Sequence, residues 1–164
     1  MQKALLLNEQ LEDIRATLFR QTLFAEFELF LHEQIEQGAP LTPMILNEKF
    51  MELNKTYYGP DLYLCNELAN EWARIPHFYY NFYVYQYATG HSAACTLAQR
   101  ILQGSTKAQK AYLTFLSRGA SRFPLDLLRD AGVDMTTKQP IQETISWFRS
   151  LLDELSHLFP LISS

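Results

Sequence analysis

Residues 72–90 hold the side chains of this sequence that are best suited to chemistry. Within this segment lie one histidine, one arginine and five tyrosines. If the segment is helical, spacings of three and four residues place several of them on one face. The residues on that face are His77, Tyr80, Tyr83 (or Val84) and Tyr87. A row of phenols beside an imidazole can donate hydrogen bonds to a carbonyl oxygen that is becoming an oxyanion, or can hold a peptide backbone.

The same segment also has a purely structural interpretation, as an aromatic core helix whose hydroxyls reach solvent. A helix that serves only as core would favour Leu and Phe, because a buried hydroxyl without a partner costs about 1–3 kcal/mol. The residues alone leave both interpretations open.

An incomplete metal motif lies at residues 32–36, which read His-Glu-Gln-Ile-Glu. A zinc-peptidase helix requires His-Glu-x-x-His, because positions i and i+4 face one metal and the intervening Glu activates water. Here Glu36 takes the place of the second histidine. We favour a solvated, charged helix end over a metal site.

The remaining histidines and thiols give weaker signals. His91 and His157 are typical of surface or helix-end positions. Cys65 and Cys95 fall on apolar helix faces and are predicted to be inert, reduced, buried thiols, which favours a cytoplasmic protein. The glycines are scattered at predicted helix ends, and no phosphate-binding loop is present.

The elements that must position these residues are all helical, because the apolar spacing is three and four and no alternating strand pattern occurs. The sequence predicts an all-α fold of about seven helices without a sheet, forming a single helical domain over residues 1–164. The predicted helices are 8–36, 43–56, 62–72, 76–102, 106–118, from Ser121 or Arg122 to Gly132, and 139–159. Thr42 and Ser105 are predicted N-caps, and Gly38 is a predicted helix stop.

Composition limits the function classes. The chain has 164 residues, is 48% hydrophobic and carries a net charge of −4. These values exclude a disordered chain and give no electrostatic footprint for nucleic acid. The longest apolar runs, such as Ala4–Leu7, are far shorter than the ~20 residues of a membrane span. Neither a nucleic-acid nor a membrane partner is therefore expected.

Several segments together resemble the oligoendopeptidase F family, bacterial zinc peptidases related to thimet oligopeptidase. The most specific is 74–90, Arg-Ile-Pro-His-Phe-Tyr-Tyr-Asn-Phe-Tyr-Val-Tyr-Gln-Tyr-Ala-Thr-Gly. The others are Phe27–Gly38, Tyr57-Tyr58-Gly59, Phe115–Gly119 and Ala131–Met135. The resemblance covers essentially the whole chain and corresponds to the C-terminal region of the family.

The resemblance implies a helical peptidase with a deep channel, in which a His-Glu-x-x-His helix and a further Glu hold zinc. This chain contains no His-Glu-x-x-His. We therefore interpret it as a C-terminal part of such an enzyme, without metal ligands of its own and inactive alone. By resemblance, His77, Tyr83 and Tyr87 are the catalytic, oxyanion-stabilising residues, and Tyr80 and Arg74 contact the substrate.

The resemblance also implies short peptides as substrates and zinc as the cofactor of the intact enzyme. The competing hypothesis is a non-catalytic helical module that binds a peptide or partner helix through its aromatic face. Either hypothesis leaves apolar segments such as Ala4–Leu7 exposed if the chain is part of a larger body, so self-association is expected.

Overall fold

The computed structural model describes residues 1–158, and within that range the fold is all-α, with seven α-helices and no strand. This confirms the predicted fold class. The helices are α1 (Gln2–Ile14), α2 (Arg20–Glu36), α3 (Pro43–Tyr58), α4 (Tyr85–Leu102), α5 (Thr106–Arg118), α6 (Pro124–Asp130) and α7 (Gln139–Leu158). The predicted end of the last helix at Phe159 lies outside the described residues. No helix among residues 1–158 is both long enough and apolar enough to cross a bilayer.

The first predicted helix is interrupted. It begins at Gln2 rather than near residue 8, and a π-helical turn at Arg15–Phe19 separates α1 from α2. A π turn widens the backbone, so that some carbonyls need other donors. The Gln21 amide donates to the Ala16 carbonyl at 3.1 Å, and the Thr22 hydroxyl donates to the Leu18 carbonyl at 2.7 Å.

The predicted helix caps are confirmed where side chains make the bond. The Thr42 hydroxyl accepts the Ile45 N–H at 3.3 Å at the start of α3, and Ser105 accepts the Ala108 N–H at 3.1 Å at the start of α5. Each bond satisfies one of the backbone donors that a helix N-terminus leaves free.

The described chain forms two compact units. One consists of Met1–Arg15 together with the residues from Thr89 onward, and the other of Ala16–Ala88. In the first, α1 packs on α7 and α5 on α6, and a small core contains Ala93, Leu97, Ala131 and Val133. In the second, α3 packs on α2. The core of the second unit consists of Leu23, Phe24, Phe27, Leu46, Phe50, Leu53, Ile75 and Val84.

The predicted helix over 76–102 is wrong in its first third. The 3₁₀ segment Pro76–Tyr79 replaces regular helix there, and α4 starts only at Tyr85. Another 3₁₀ segment, Asn66–Arg74, replaces the helix expected over 62–72. The break lies at Asn81 and Phe82, whose φ angles are 49° and 58°. This left-handed region costs an ordinary residue roughly 1–2 kcal/mol and cannot continue a right-handed helix.

Candidate functional site

Four of the five residues singled out in the sequence form one cluster of rings, which we call the aromatic cluster: His77, Tyr80, Tyr83 and Tyr87. His77 lies in the 3₁₀ turn, Tyr80 follows it, Tyr83 precedes α4, and Tyr87 is in the first turn of α4. They come together although they do not share a helix face. The bend at 81–82 folds the chain back, so that residues on both sides of it meet.

The cluster is organised around the imidazole. The rings of His77 and Tyr83 are parallel within 2°, with centroids 5.7 Å apart. Tyr87 meets His77 edge to face at 5.5 Å, and Tyr80 does so at 6.5 Å. Edge-to-face and offset arrangements at these distances are the favourable ones for aromatic pairs.

Hydrogen bonds join the polar ends of the same rings. The Tyr87 hydroxyl donates to the Tyr83 hydroxyl at 3.4 Å and lies 3.3 Å from Nε2 of His77. Which of the two groups donates in the contact with His77 depends on the tautomer of the imidazole. The hydrogen bond to Tyr83 raises the pKa of Tyr87 above 10.0, with burial as a smaller cause.

The cluster is open to solvent. Tyr80 is 64% exposed, and Tyr83 and Tyr87 are each 38% exposed. The tyrosines are therefore not core residues, which argues against the aromatic core helix considered from the sequence. In place of the phenols, the segment buries Val84, at 0% exposure, and Ile75, at 8%.

Packing beneath the cluster fixes its base. The ring of Phe78, next to His77, lies 5.4 Å from that of Phe27 and 5.9 Å from that of Phe24. Both partners are buried residues of α2. The 3₁₀ turn is therefore anchored to the core of its unit, while His77 and the phenols face outward from it.

Arg74, the fifth candidate, is engaged differently. Its guanidinium pairs with Glu71, which also accepts from Arg20 at 2.6 Å. The Glu71 side chain is only 8% exposed, whereas that of Arg74 is 73% exposed. Arg74 thus presents an accessible positive charge at the end of the first 3₁₀ segment.

Glu28 is a residue of the site that sequence reasoning missed. It is 1% exposed, and its Oε1 accepts the backbone N–H of Phe82 at 2.7 Å. The available signal was its spacing, four residues after Phe24 and three before Leu31, which places a carboxylate on the apolar face of α2. A charged residue at such a position requires a partner.

His32 belongs to no cluster of possible metal ligands among the described residues. Among residues 1–158, no group of three or more His, Cys, Asp or Glu side chains could hold a metal ion. The His32 ring instead lies 4.2 Å from the Phe82 ring, and the residue is half-buried. The expectation of a wholly solvated helix end therefore applies to Glu33 and Glu36, which are exposed, but not to His32.

The two thiols differ, contrary to the sequence prediction. Cys95 is buried as expected, and burial raises the pKa of its thiol, partly offset by a hydrogen bond to Thr144. Cys65 is exposed and lies just before the 3₁₀ segment that begins at Asn66, outside regular helix. The environment of Cys95 therefore does not favour its thiolate.

An apolar groove in the other unit offers less chemistry. It has a volume of about 580 Å³ and is lined by residues of α4, α5 and α6. Tyr112 is the one titratable side chain among its lining residues. The aromatic cluster is therefore the better candidate site.

Comparison with known proteins gives consistent matches. The sequence profile of Peptidase family M3 matches residues 1–147. The oligopeptidase PepF of Bacillus subtilis (strain 168) is 48% identical over 157 residues, which are 96% of this chain and 23% of that protein. The chromosomal oligoendopeptidase F of Lactococcus lactis subsp. cremoris is 45% identical over 153 residues, 93% of this chain and 25% of that protein.

A solved structure agrees with these matches. The crystal structure of oligoendopeptidase-F from Enterococcus faecium matches with a TM-score of 0.94 and 46% identity, covering 96% of this chain and 30% of that one. The chain thus spans about a quarter of the length of the curated relatives it matches.

Proposed function

Because the chain belongs to peptidase family M3, we propose that its aromatic cluster is the substrate-binding, oxyanion-stabilising wall of a zinc oligoendopeptidase that hydrolyses short peptides. The observation that carries the proposal is the convergence of one imidazole and three phenols on one exposed surface. Such a set of donors suits a peptide carbonyl better than it suits a hydrophobic core.

In the proposed reaction, this chain contributes the hydroxyl and imidazole groups that donate hydrogen bonds. As water adds to the scissile carbonyl, negative charge develops on its oxygen, and Tyr83, Tyr87 and His77 donate hydrogen bonds to it. A tyrosine phenol is protonated at neutral pH, and the pKa of Tyr87 is raised further, so this hydroxyl remains a donor. Its present bonds of 3.3 and 3.4 Å are long for hydroxyl hydrogen bonds, so little is lost when the hydroxyl turns to substrate.

Tyr80 and Arg74 are proposed to bind the rest of the peptide. The Tyr80 ring is the most exposed of the cluster and can lie against a substrate side chain. The Arg74 guanidinium can pair with a carboxylate of the peptide, because a large part of it remains accessible beside Glu71.

We propose that the metal is held outside the described residues of this chain. Residues 1–158 offer no set of three ligands, so the zinc of the intact enzyme would be held by residues other than these. The chain by itself is therefore proposed to lack peptidase activity. The two free cysteines support a reducing compartment, and we place the protein in the cytoplasm on that ground.

Complementation tests this function. The chain is mixed with the part of Bacillus subtilis PepF that the alignment leaves uncovered, and cleavage of a fluorogenic short peptide is measured with zinc and after chelation. We expect zinc-dependent cleavage by the mixture and none by the chain alone. Peptide binding by the chain that is unaffected by zinc, without cleavage by the mixture, would instead favour the non-catalytic binding module.

A further inference from the structure

We infer that Glu28 is a positioning residue of the aromatic cluster, which it holds through the backbone of Phe82. This role rests on the proposed function, because positioning the aromatic cluster matters for catalysis only if the cluster binds substrate. The carboxylate belongs to α2, whereas Phe82 lies in the bend between His77 and Tyr83. All of these residues are within the Ala16–Ala88 unit.

The bend at Asn81 and Phe82 needs a stabilising contact from elsewhere in the fold, because its backbone conformation is unfavourable. Asn81 and Phe82 both have φ in the left-handed region, at 49° and 58°. Asn tolerates this region, but a bulky residue such as Phe rarely adopts it, and such conformations persist only where surrounding structure enforces them.

Glu28 supplies this contact by accepting a hydrogen bond from the backbone of Phe82. Its Oε1 accepts the Phe82 N–H at 2.7 Å, and the residue is 1% exposed. A hydrogen bond from an amide to a shielded carboxylate is among the stronger kinds in proteins. It fixes the direction of the peptide unit between the two left-handed residues.

His32 supplies a second stabilising contact, with the side chain of Phe82. It lies one helical turn after Glu28 on α2, and its ring contacts the Phe82 ring at a centroid distance of 4.2 Å. Residues four apart on a helix project from the same face, so the side chains of Glu28 and His32 both contact Phe82. The histidine that resembled part of a metal motif thus has a structural partner.

The consequence for the site is the stack of His77 on Tyr83. These rings are parallel within 2° although five residues, 78–82, lie between them and include the left-handed bend. If the left-handed bend relaxes, Tyr83 turns away and His77 loses a neighbour, while the helices need not change.

Hydrogen exchange gives the first test and needs no variant. In the wild-type chain the Phe82 amide should exchange with solvent more slowly than an unprotected amide, because its N–H is bonded to the buried Glu28 carboxylate. Phe82 is itself exposed at the surface, so its protection would report the bond to Glu28 rather than burial of the side chain. Exchange of the Phe82 amide at the rate of an unprotected amide would overturn the inference.

Substitution of Glu28 gives the second test. Glu28→Leu removes the acceptor, and Glu28→Gln keeps a carbonyl oxygen at the same reach. The control is Glu33→Leu, an exposed carboxylate on the same helix. Cross-peaks between the His77 and Tyr83 rings are followed by NMR, with circular dichroism reporting helix content. We expect Glu28→Leu to lose the cross-peaks with little loss of helix, and Glu28→Gln and the control to keep them.

The following results would contradict the positioning role of Glu28. Cross-peaks that persist in folded Glu28→Leu overturn the inference. If Glu28→Leu does not fold, the same cross-peaks are measured in Glu28→Asp. This variant keeps the negative charge, but its side chain is too short to accept the Phe82 N–H at the same distance. Persistence of the cross-peaks in Glu28→Asp would also count against Glu28.

A peptide titration on the same samples separates this inference from the proposed function. If the wild-type chain binds a short peptide, Glu28→Leu should weaken binding roughly tenfold, about the value of one strong hydrogen bond. If no peptide binds the wild-type chain, the proposed function fails, whereas the positioning role of Glu28 is still decided by the cross-peaks.

Discussion

The imidazole of His77 lies parallel to the phenol of Tyr83, with 5.7 Å between the ring centroids. The Tyr87 hydroxyl completes the arrangement by touching both polar ends, at 3.3 and 3.4 Å. Three donors thus converge on one surface before any substrate is present. Such preorganisation is what makes donors effective toward a developing oxyanion.

Removal of one donor should reduce catalysis strongly. In the complemented enzyme, Tyr87→Phe and His77→Ala should each lower kcat by about 10²–10³-fold, the usual effect of losing one oxyanion donor. Tyr79→Phe is the matched control, because Tyr79 belongs to the same 3₁₀ turn and is 85% exposed. The measurement is steady-state cleavage of a fluorogenic peptide. Equal rates for Tyr87→Phe and Tyr79→Phe would contradict the assigned role.

The phenol titration should depend on the partner of Tyr87. Because donation to Tyr83 is the largest cause of the raised pKa of Tyr87, Tyr83→Phe should return that pKa toward 10.0. NMR of chains carrying ¹³C-labelled tyrosine follows the titration. An unchanged Tyr87 pKa in Tyr83→Phe would show that the hydroxyl bond is absent in solution.

The same shift sets the sign of a stability effect at high pH. Between 10.0 and the raised native pKa, the unfolded chain releases the Tyr87 proton and the folded chain keeps it. Folding then binds a proton, so this contribution to stability is present below pH 10 and is lost as the pH rises through the native value. Unfolding by urea at increasing pH, in wild type and in Tyr87→Phe, measures it, and the variant should show the smaller alkaline loss.

The two thiols should react at different rates. Cys65 is exposed, while Cys95 is buried and its pKa is raised, so an alkylating reagent at pH 8 should label Cys65 first. Peptide mapping by mass spectrometry identifies the labelled site over time. Labelling of Cys95 at the rate of Cys65 would contradict the described burial.

Truncation of Phe27 should destabilise the unit that carries the cluster. Phe27 is 0% exposed and its ring contacts those of Phe50, Trp72 and Phe78. Phe27→Ala should cost about 3–5 kcal/mol in the free energy of unfolding, as for other large-to-small core changes. Leu29→Ala on the same helix is the control, because Leu29 is 49% exposed and should change stability by no more than about 0.5 kcal/mol. Urea denaturation followed by circular dichroism distinguishes them.

Exposed leucines on α1 should promote self-association. Leu5 is 64% exposed and Leu6 is 62% exposed, next to one another on the helix. We expect the mass of the wild-type chain to increase with concentration in analytical ultracentrifugation, and replacement of both leucines by Gln to reduce the increase. A wild-type chain that stays monomeric at high concentration would refute this expectation.

The sequence by itself determined the fold class, several helix ends and the family. Apolar spacings of three and four specify helices locally, and Thr42, Ser105 and Gly38 mark ends through bonds or φ values set by near neighbours. The resemblance based on residues 74–90 is confirmed by the family match over residues 1–147. His77, Tyr80, Tyr83 and Tyr87 could also be named from residue type alone, and their catalytic roles stay a prediction.

The tertiary structure alone decided how those four residues meet. Local pattern favoured a continuous helix through Asn81 and Phe82, and nothing adjacent in the sequence opposes it. The opposing bond comes from Glu28, 54 residues earlier, whose buried carboxylate accepts the Phe82 N–H. A contact between residues so distant in the chain forms only when α2 is packed, so its effect on backbone conformation overrides local propensity and is invisible to local pattern.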